Sequence, residues 1–322
     1  MAGPKVLISI LNWNAPANTI AVTKSVLDSN YKDYTILIID NNSIDQSTSE
    51  IRDAFPSIHL MSLSKNIGYA AAHKKAAMMA KKENYDMLWL LNNDVKVFPN
   101  TLGELVNAYN RTPNSILGSI AVDKDGETIQ FAGGTEIDDH NNEDKAHYNF
   151  FAGNRLSETN MKERPVSDLG GASILLPVAL IKKYGFIDTK YFLYGEETDY
   201  SYYLRRNFGI PSIIVPTSVI IHAGGASFNT SPRLEYIRTY YRSRNIYYIY
   251  KKYFKDYEFR DVLQLRDLVK FFIRHFVKNF LHEKNNDYWL RYYRNLGHFH
   301  GKIKLMGKFF DPNDFIGNKN PY

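Results

Sequence analysis

The sequence contains no cysteine in 322 residues. That excludes a disulfide framework, a thiolate metal site and a cysteine nucleophile, and it suits a reducing compartment such as the cytoplasm. No run approaches the ~20 consecutive apolar residues of a membrane-spanning helix. The opening MAGPKVLISILNWN has one lysine and an apolar run that breaks at Asn12, so it does not read as a secretory signal. Low-complexity segments and internal repeats are absent. So are GxGxxG after the first apolar run and GxxxxGK[ST] anywhere, which disfavours dinucleotide oxidoreductases and P-loop nucleotide hydrolases.

About 44% of the chain is hydrophobic, enough for a sizeable core, and its net charge is +6. The charge is uneven. From Arg233 to Tyr322 there are 19 Lys/Arg against 9 Asp/Glu, a surplus of +10 on a body that carries −4. Aromatic residues crowd the same tail. A basic, aromatic tail on a mildly acidic body points to an anionic partner, a membrane surface or nucleic acid.

Along the first third, short apolar runs alternate with helical stretches. Strands are expected at 5–11, 34–40, 58–63 and 86–91, and helices at 16–29, 45–54 (Ser43 as its N-cap) and 68–83. This is the pattern of βαβ units and a mostly parallel sheet. Ligands bind such sheets beyond the carboxyl ends of their strands. Asn12–Asn14, Asp40–Ser43, Ser64–Asn66 and Asn92–Asp94 all fall there. Beyond residue 115 the spacing predicts a strand, a turn at Asp125-Gly126 and a second strand. A polar loop is expected over 138–165, a loop entering a helix over 194–206, and a strand ending at His222. Helices are expected over 233–254 and 261–282; in the second, Val262, Leu265, Val269, Phe272, Phe276 and Phe280 recur at helical spacing.

DMLWLLNNDV ends an apolar run on three polar residues. A carboxylate there, Asp94, can bind a divalent cation, Mg²⁺ or Mn²⁺, whose other positions water and phosphates fill. His222 can add an imidazole, which suits Mn²⁺ better. Asp40 can accept hydrogen bonds from a ribose or base. Glu196 and Glu197 are adjacent acids before a helix; paired like charges raise at least one pKa and can provide a general base. Each motif alone reads as an ordinary turn, helix start or structural histidine.

Their order does not. LISILNWN, IIDNNSIDQS, LSKNIGYAAAHKKA, LLNNDV, GGASILLP, YGEETDYSYYLRR and IIHAGGAS together resemble the inverting family-2 glycosyltransferases, especially the bacterial rhamnosyltransferase-like branch, over about residues 5–250. The resemblance implies a GT-A-type, Rossmann-like α/β fold with a mostly parallel central sheet and a C-terminal helical extension. Residues 1–232 would form the catalytic domain, with 1–115 as the nucleotide-sugar half and 116–232 as the acceptor half; 233–322 would form the extension. It implies nucleotide contacts from Asn12, Asn14, Asp40, Asn42, Lys65, Asn66, Gly68 and Asn93. Metal ligation falls to Asp94 and His222. Glu197 would be the general base beside Glu196, and Gly170, Gly171, Ala172, Asp199 and Arg244 would face the acceptor. Asn92 stands where the family's D-x-D motif begins, Glu197 where Asp is common, and His73 where Asn is frequent.

The activity implied is metal-dependent transfer of a sugar, with inversion, from dTDP-L-rhamnose, or else UDP-galactofuranose or a UDP-hexose. The acceptor would be a glycan or a polyprenyl-diphosphate-linked glycan of a surface-polysaccharide pathway. Arg238, Arg242 and Arg244 are positioned in sequence to grip phosphate. The tail would lie on the anionic inner face of the bacterial cytoplasmic membrane or form a homodimer seam. Two other readings are weaker. A nucleotidyltransferase would need a Gly-rich basic loop after the first strand, which NWNAPAN is not, and a nucleic-acid-binding protein leaves the acids at the sheet edge unexplained.

Overall fold

In a computed structural model the described residues are 3–134, 151–224, 232–254 and 286–316, with Lys270 and Ile273. They fall into two compact units, the second formed by Lys190–Gly195 and the described residues from Pro232 onward.

The first unit is built on one sheet. Its strands are β1 (Val6–Asn12), β2 (Tyr34–Asp40), β3 (His59–Ser62), β4 (Met87–Asn92), β5 (Val95–Val97), β6 (Ile116–Val122), β7 (Ile129–Phe131), β8 (Arg164–Val166), β9 (Ser173–Pro177) and β10 (Ser212–His222). The order is β3-β2-β1-β4-β9-β6-β10-β5, with β7 on β6 and β8 on β10. β1, β2, β3 and β4 are parallel neighbours, as are β6 and β10, while β9 runs antiparallel between β4 and β6. The helices are α1 (Pro16–Leu27), α2 (Ser47–Ala54), α3 (Tyr69–Lys82), α4 (Thr101–Arg111), α5 (Val178–Tyr184) and α6 (Glu196–Phe208).

Strand alternation sends side chains to both faces, and both are covered. Leu7, Leu37, Ile39, Leu88 and Leu90 join α3, α5 and α6 in one core. Val6, Ile8, Ile10, Ile36, Ile38, Trp89 and Leu91 join α1, α2 and α4 in the other. Each such aliphatic side chain contributes roughly 1.5–3 kcal/mol on burial. The buried face of α3 is Ala70, Ala72, Ala76, Ala77 and Ala80, small enough to lie close on the sheet. Pro16 fixes the first turn of α1. Glu196, Glu197 and Asp199 occupy the first turn of α6, where the helix dipole favours acids.

Three expectations change. Ser43 does not cap α2, which starts at Ser47; Asp45 receives the Ser47 N–H instead, at 2.9 Å. The polar stretch expected as a loop over 138–165 holds order where it is described. It has a 3₁₀ turn at Leu156–Glu158 and the start of β8, which pairs with β10. Lys190–Gly195, expected inside the catalytic half, belongs to the second unit.

The second unit pairs α7 (Pro232–Tyr253) with α8 (Asn286–Lys302). Gly297 and Gly301 face α7 so closely that a Cβ on Gly301 would lie 2.6 Å from the Arg244 carbonyl oxygen, and one on Gly297 would collide with that of Tyr240. Tyr240 Oη meets His300 Nδ1 at 2.7 Å, and Tyr241 Oη donates to the Phe310 carbonyl at 2.9 Å. Arg244 is fully buried here. Its Nε donates to Asn245 Oδ1 (2.8 Å), one terminal nitrogen donates to the Gly307 carbonyl (2.6 Å), and the guanidinium lies 4.8 Å from the Tyr241 ring centre. Arg244 therefore does not reach an acceptor or a phosphate. Its flat cation fills an aromatic core, as Arg does where stacking and carbonyls replace water. The 261–282 helix lies, except for Lys270 and Ile273, outside the described residues.

Candidate functional site

The carboxyl ends of β1, β2, β4, β6 and β10 share one rim of the sheet, and β9 begins there. At the β1–β2 end, Asn12 is fully enclosed. Its Nδ2 donates to Asp40 Oδ1 (2.8 Å) and Ser43 Oγ (3.1 Å), and its Oδ1 accepts from Thr19 Oγ1 (2.6 Å). Asn93 is also buried and donates to Thr19 Oγ1 at 3.1 Å. The Asp40 carboxylate accepts from Ser43 Oγ (2.5 Å) and from the Ser43 N–H (3.0 Å). Ser43 Oγ in turn accepts the Asn14 N–H at 2.8 Å, and Asn14 Oδ1 accepts the Ile44 N–H at 2.7 Å.

This network gives three expected nucleotide contacts, Asn12, Asp40 and Asn93, an internal task. Asn12, with no exposed surface, and the buried Asn93 brace the rim from beneath. A ligand at this rim would meet the loops they hold. Asn14 (φ 48°) and Asn42 (φ 66°) are half-exposed in left-handed turns that Asn tolerates. Lys65 is exposed. Asn66 is buried, and its Oδ1 accepts from the Gly68 N–H and from Asn41 Nδ2, each at 3.0 Å. Gly68, at φ 81°, turns the chain into α3 where a side chain would strain.

Asp94 follows β4, and His222 ends β10. The two are 128 residues apart in sequence, yet His222 Nε2 lies 3.4 Å from Asp94 Oδ1. Strand β5, antiparallel to β10, sets Val95 opposite His222 and so fixes the approach. Among the described residues no group of three or more His, Asp or Glu could hold a metal. One carboxylate and one imidazole are the donor set that this pair would offer a metal. It fits Mg²⁺ or Mn²⁺, which keep several positions for phosphate oxygens and water.

The acceptor-side loop enters β9. Tyr69 Oη donates to the Gly171 carbonyl at 2.7 Å. Burial pushes the Tyr69 hydroxyl well above its ordinary pKa, and the nearby Glu197 and Glu196 charges push it further. It therefore stays a donor. A Cβ on Gly171 would come within 3.3 Å of Glu197 Oε1, so a side chain there would crowd that carboxylate. Gly170 and Ala172 flank it, and a Cβ on Gly170 would press on Phe131. Glu196 and Asp199 are buried, whereas Glu197 is half-exposed. Asp168 anchors the loop by accepting from Ser167 Oγ (2.8 Å) and Thr198 Oγ1 (3.1 Å). His73 is fully buried, with Nδ1 2.8 Å from Ser9 Oγ, and burial drops its pKa to about 3. Its ring faces the sheet at β1.

Several participants escaped sequence reasoning, among them Thr19, Asn41, Tyr69 and Asp168. Tyr69 directly follows Gly68 of the N-x-G segment, the one signal that could have found it. The others are small polar residues whose importance is set by distant partners.

The profile of "Glycosyl transferase family 2" matches residues 7–184, more than half of the chain. It stops short of α6 and His222. The N-acetylglucosaminyl-diphospho-decaprenol L-rhamnosyltransferase of Mycobacterium tuberculosis is 24% identical over 213 residues, covering 62% of this chain and 69% of that protein. A crystal structure of GalNAc-T7 with UDP, GalNAc and Mn²⁺ superposes with a TM-score of 0.57 at 15% identity, over 94% of this chain. The match spans only 57% of that longer chain. The mannosyltransferase PcManGT from Pyrobaculum calidifontis, in complex with GDP-Man and Mn²⁺, gives 0.54 at 13% identity, over 99% of this chain and 77% of that one. At these identities the two structures show a shared fold.

Proposed function

We propose that this chain, which belongs to glycosyl transferase family 2, is a metal-dependent inverting glycosyltransferase that moves a sugar from a nucleotide-sugar to a lipid-linked glycan hydroxyl. That it is a glycosyltransferase of GT-A-like fold follows from the family and its relatives, which sets aside the nucleotidyltransferase and nucleic-acid-binding readings. The finer reading rests chiefly on one observation, the convergence of Asp94 and His222 at the rim.

Asp94 and His222 would hold Mg²⁺ or Mn²⁺, a choice supported by the two neighbours crystallised with Mn²⁺. When bound, the cation would neutralise charge on the donor's diphosphate oxygens. Asn14, Asn42, Lys65 and Gly68 line the nucleotide side, with Asn12, Asp40, Asn66 and Asn93 holding their loops. Glu197, beside Gly171, takes the proton of the acceptor hydroxyl as its oxygen attacks the anomeric carbon. The nucleoside diphosphate leaves from the opposite face, inverting the centre. Glu196, Asp199 and the Gly170–Ala172 loop shape the acceptor side.

dTDP-L-rhamnose is the lead donor and a polyprenyl-diphosphate-linked glycan the lead acceptor, both supported by the mycobacterial relative's name. UDP-galactofuranose or a UDP-hexose would use the same frame. No described helix is long and apolar enough to cross a membrane. Contact with a lipid-linked acceptor would then be peripheral, at an anionic membrane surface. Ile303, Leu305 and Phe309 support this reading, because they are 54%, 41% and 49% exposed among Lys302, Lys304 and Lys308.

The test is donor hydrolysis and thermal shift across a panel of nucleotide sugars, with Mg²⁺, Mn²⁺ or EDTA. One sugar nucleotide should bind only with metal. Asp94→Ala should lose that binding, and Glu197→Gln should bind without turnover. Binding that ignores EDTA and Asp94→Ala would overturn the metal assignment, and full turnover by Glu197→Gln would overturn the base.

A further inference from the structure

We infer that the β6–β7 hairpin, through Asp123 and Gln130, orients His222 so that its Nε2 presents a bare lone pair toward Asp94. The inference rests on the reading of Asp94 and His222 as the metal ligands and adds two positioning residues to it.

The argument begins with the Gln130 amide. Its Nε2 donates to Asp123 Oδ1 and, at 2.9 Å, to the His222 carbonyl oxygen. Both partners are acceptors only. Turning the amide over would set its oxygen against a carboxylate and a carbonyl at once. The amide orientation is therefore fixed by chemistry. Its Oε1 then lies 3.1 Å from His222 Nδ1. An amide oxygen cannot donate, so Nδ1 must carry the proton. In the neutral ring the proton cannot also be on Nε2. Nε2 is then an acceptor 3.4 Å from a carboxylate oxygen. A neutral ring so oriented would offer Nε2 to a cation beside the Asp94 carboxylate.

The fold explains why these residues meet. In the β6–β10 ladder Val122 is opposite Ile221, so Asp123 and His222 are the next residues on neighbouring strands. β7 folds back along β6, which carries Gln130 alongside. The turn is held by Asp125, whose Oδ1 accepts the Glu127 and Thr128 N–H groups at 2.9 Å each and whose Oδ2 accepts from Thr128 Oγ1 at 2.6 Å. DKDGETIQ thus does more than reverse the chain. It is a brace for a ring that arrives from a strand about ninety residues later in the sequence.

The experiment uses full-length, EDTA-treated protein with ¹⁵N-labelled histidine at about pH 8.5, where an ordinary imidazole is neutral. His222→Asn identifies the His222 resonances among nine histidines. The wild type should show the proton on Nδ1. Gln130→Met, which keeps the length and removes both hydrogen-bonding groups, should move much of the population to Nε2–H, since Asp94 is then the acceptor facing the ring. Calorimetric Mn²⁺ affinity in the presence of UDP should fall about 10–100-fold in the same variant. Asp123→Asn keeps an acceptor for the Gln130 amide and should stay near the wild type in both readouts, whereas Asp123→Leu should not. A wild-type ring protonated on Nε2 would overturn the inference, as would a Gln130→Met spectrum unchanged from wild type. A wild type that bound no Mn²⁺ would sink the metal reading of the site and not this one, which the ring-nitrogen spectrum decides alone.

Discussion

Asp40 was expected to serve the nucleotide, and the structure gives it an internal task that can be measured separately. Its two oxygens accept three hydrogen bonds, from Asn12 Nδ2, Ser43 Oγ and the Ser43 N–H, at 2.5–3.0 Å. All are with a carboxylate that is 2% exposed. Asp40→Asn keeps the shape and turns one oxygen into a donor. If the new NH₂ replaces Oδ1 it opposes two donors; if it replaces Oδ2 it opposes one, the Ser43 N–H. The second placement costs less. It removes one charge-assisted bond and leaves a backbone N–H unmatched, and it weakens the two bonds that remain by removing their charge. Hydrogen bonds to charged groups contribute about 1.5–3 kcal/mol and an unsatisfied buried donor costs about 1–3, so a loss of about 2–4 kcal/mol is expected. That is a sizeable part of a typical stability of about 5–15 kcal/mol, so the variant should still fold. Urea unfolding of the metal-free, nucleotide-free protein reads it as a lower midpoint at unchanged slope. A midpoint equal to the wild type, with nucleotide affinity alone reduced, would refute the reasoning: the carboxylate would then be free for the ligand and not committed to the loop.

Other predictions follow from burial and close approach. His73 has its pKa depressed to about 3 by burial, and His300 is lowered to about 4 by burial and by Arg244. Both are stabilising above the unfolded value of about 6.5, and that contribution is lost as the pH falls from there toward those values. The expected slope is up to about 1.4 kcal/mol per pH unit per histidine, and His73→Asn should remove its share of it in urea titrations at stepped pH. Gly297→Ala should lose about 1–3 kcal/mol through the clash with the α7 backbone, despite better helix propensity. Gly103→Ala in α4 meets nothing within 4 Å and should gain up to ~1 kcal/mol, so equal melting temperatures for the pair would count against the α7–α8 contact. Replacing Ile303, Leu305 and Phe309 together by Ser should reduce co-sedimentation with anionic vesicles and spare nucleotide binding. Unchanged sedimentation would remove this segment from the membrane reading.

The alternation of apolar runs and helices, and the polar residues at strand ends, were readable because both are local patterns. The hairpin at Asp125-Gly126 was readable for the same reason. What sequence could not supply was partnership. SILLP reads as a buried strand in either direction, and only pairing with β4 and β6 makes it antiparallel. Asn12 looks like a ligand contact until Thr19 and Asp40 are found on either side of it. Arg244 sits among tyrosines in sequence as a phosphate-gripping residue would; its burial depends on Gly307, sixty-three positions away. Glu197 and His222 stood out in the sequence as a helix-start acid and a strand-end histidine, and only the resemblance assigned them the roles of base and metal ligand.

One further consequence lies in the antiparallel β9. β6 ends and β9 begins on the same rim, and between them β7 pairs with β6 and β8 with β10. Gly134 and Asp168 close that stretch of chain like a neck, the Gly134 N–H donating to the Asp168 carbonyl at 3.1 Å and the Ser167 N–H to that of Gly134 at 3.2 Å. Lengthening the chain beyond such a neck costs little, about 0.6 kcal/mol per doubling. β8 lies within that neck and pairs with β10, so sequence exchanged there between family members has to keep Arg164–Val166 in register. Chimeras that exchange the chain between Gly134 and Asp168 but keep Arg164–Val166 are the natural grafts.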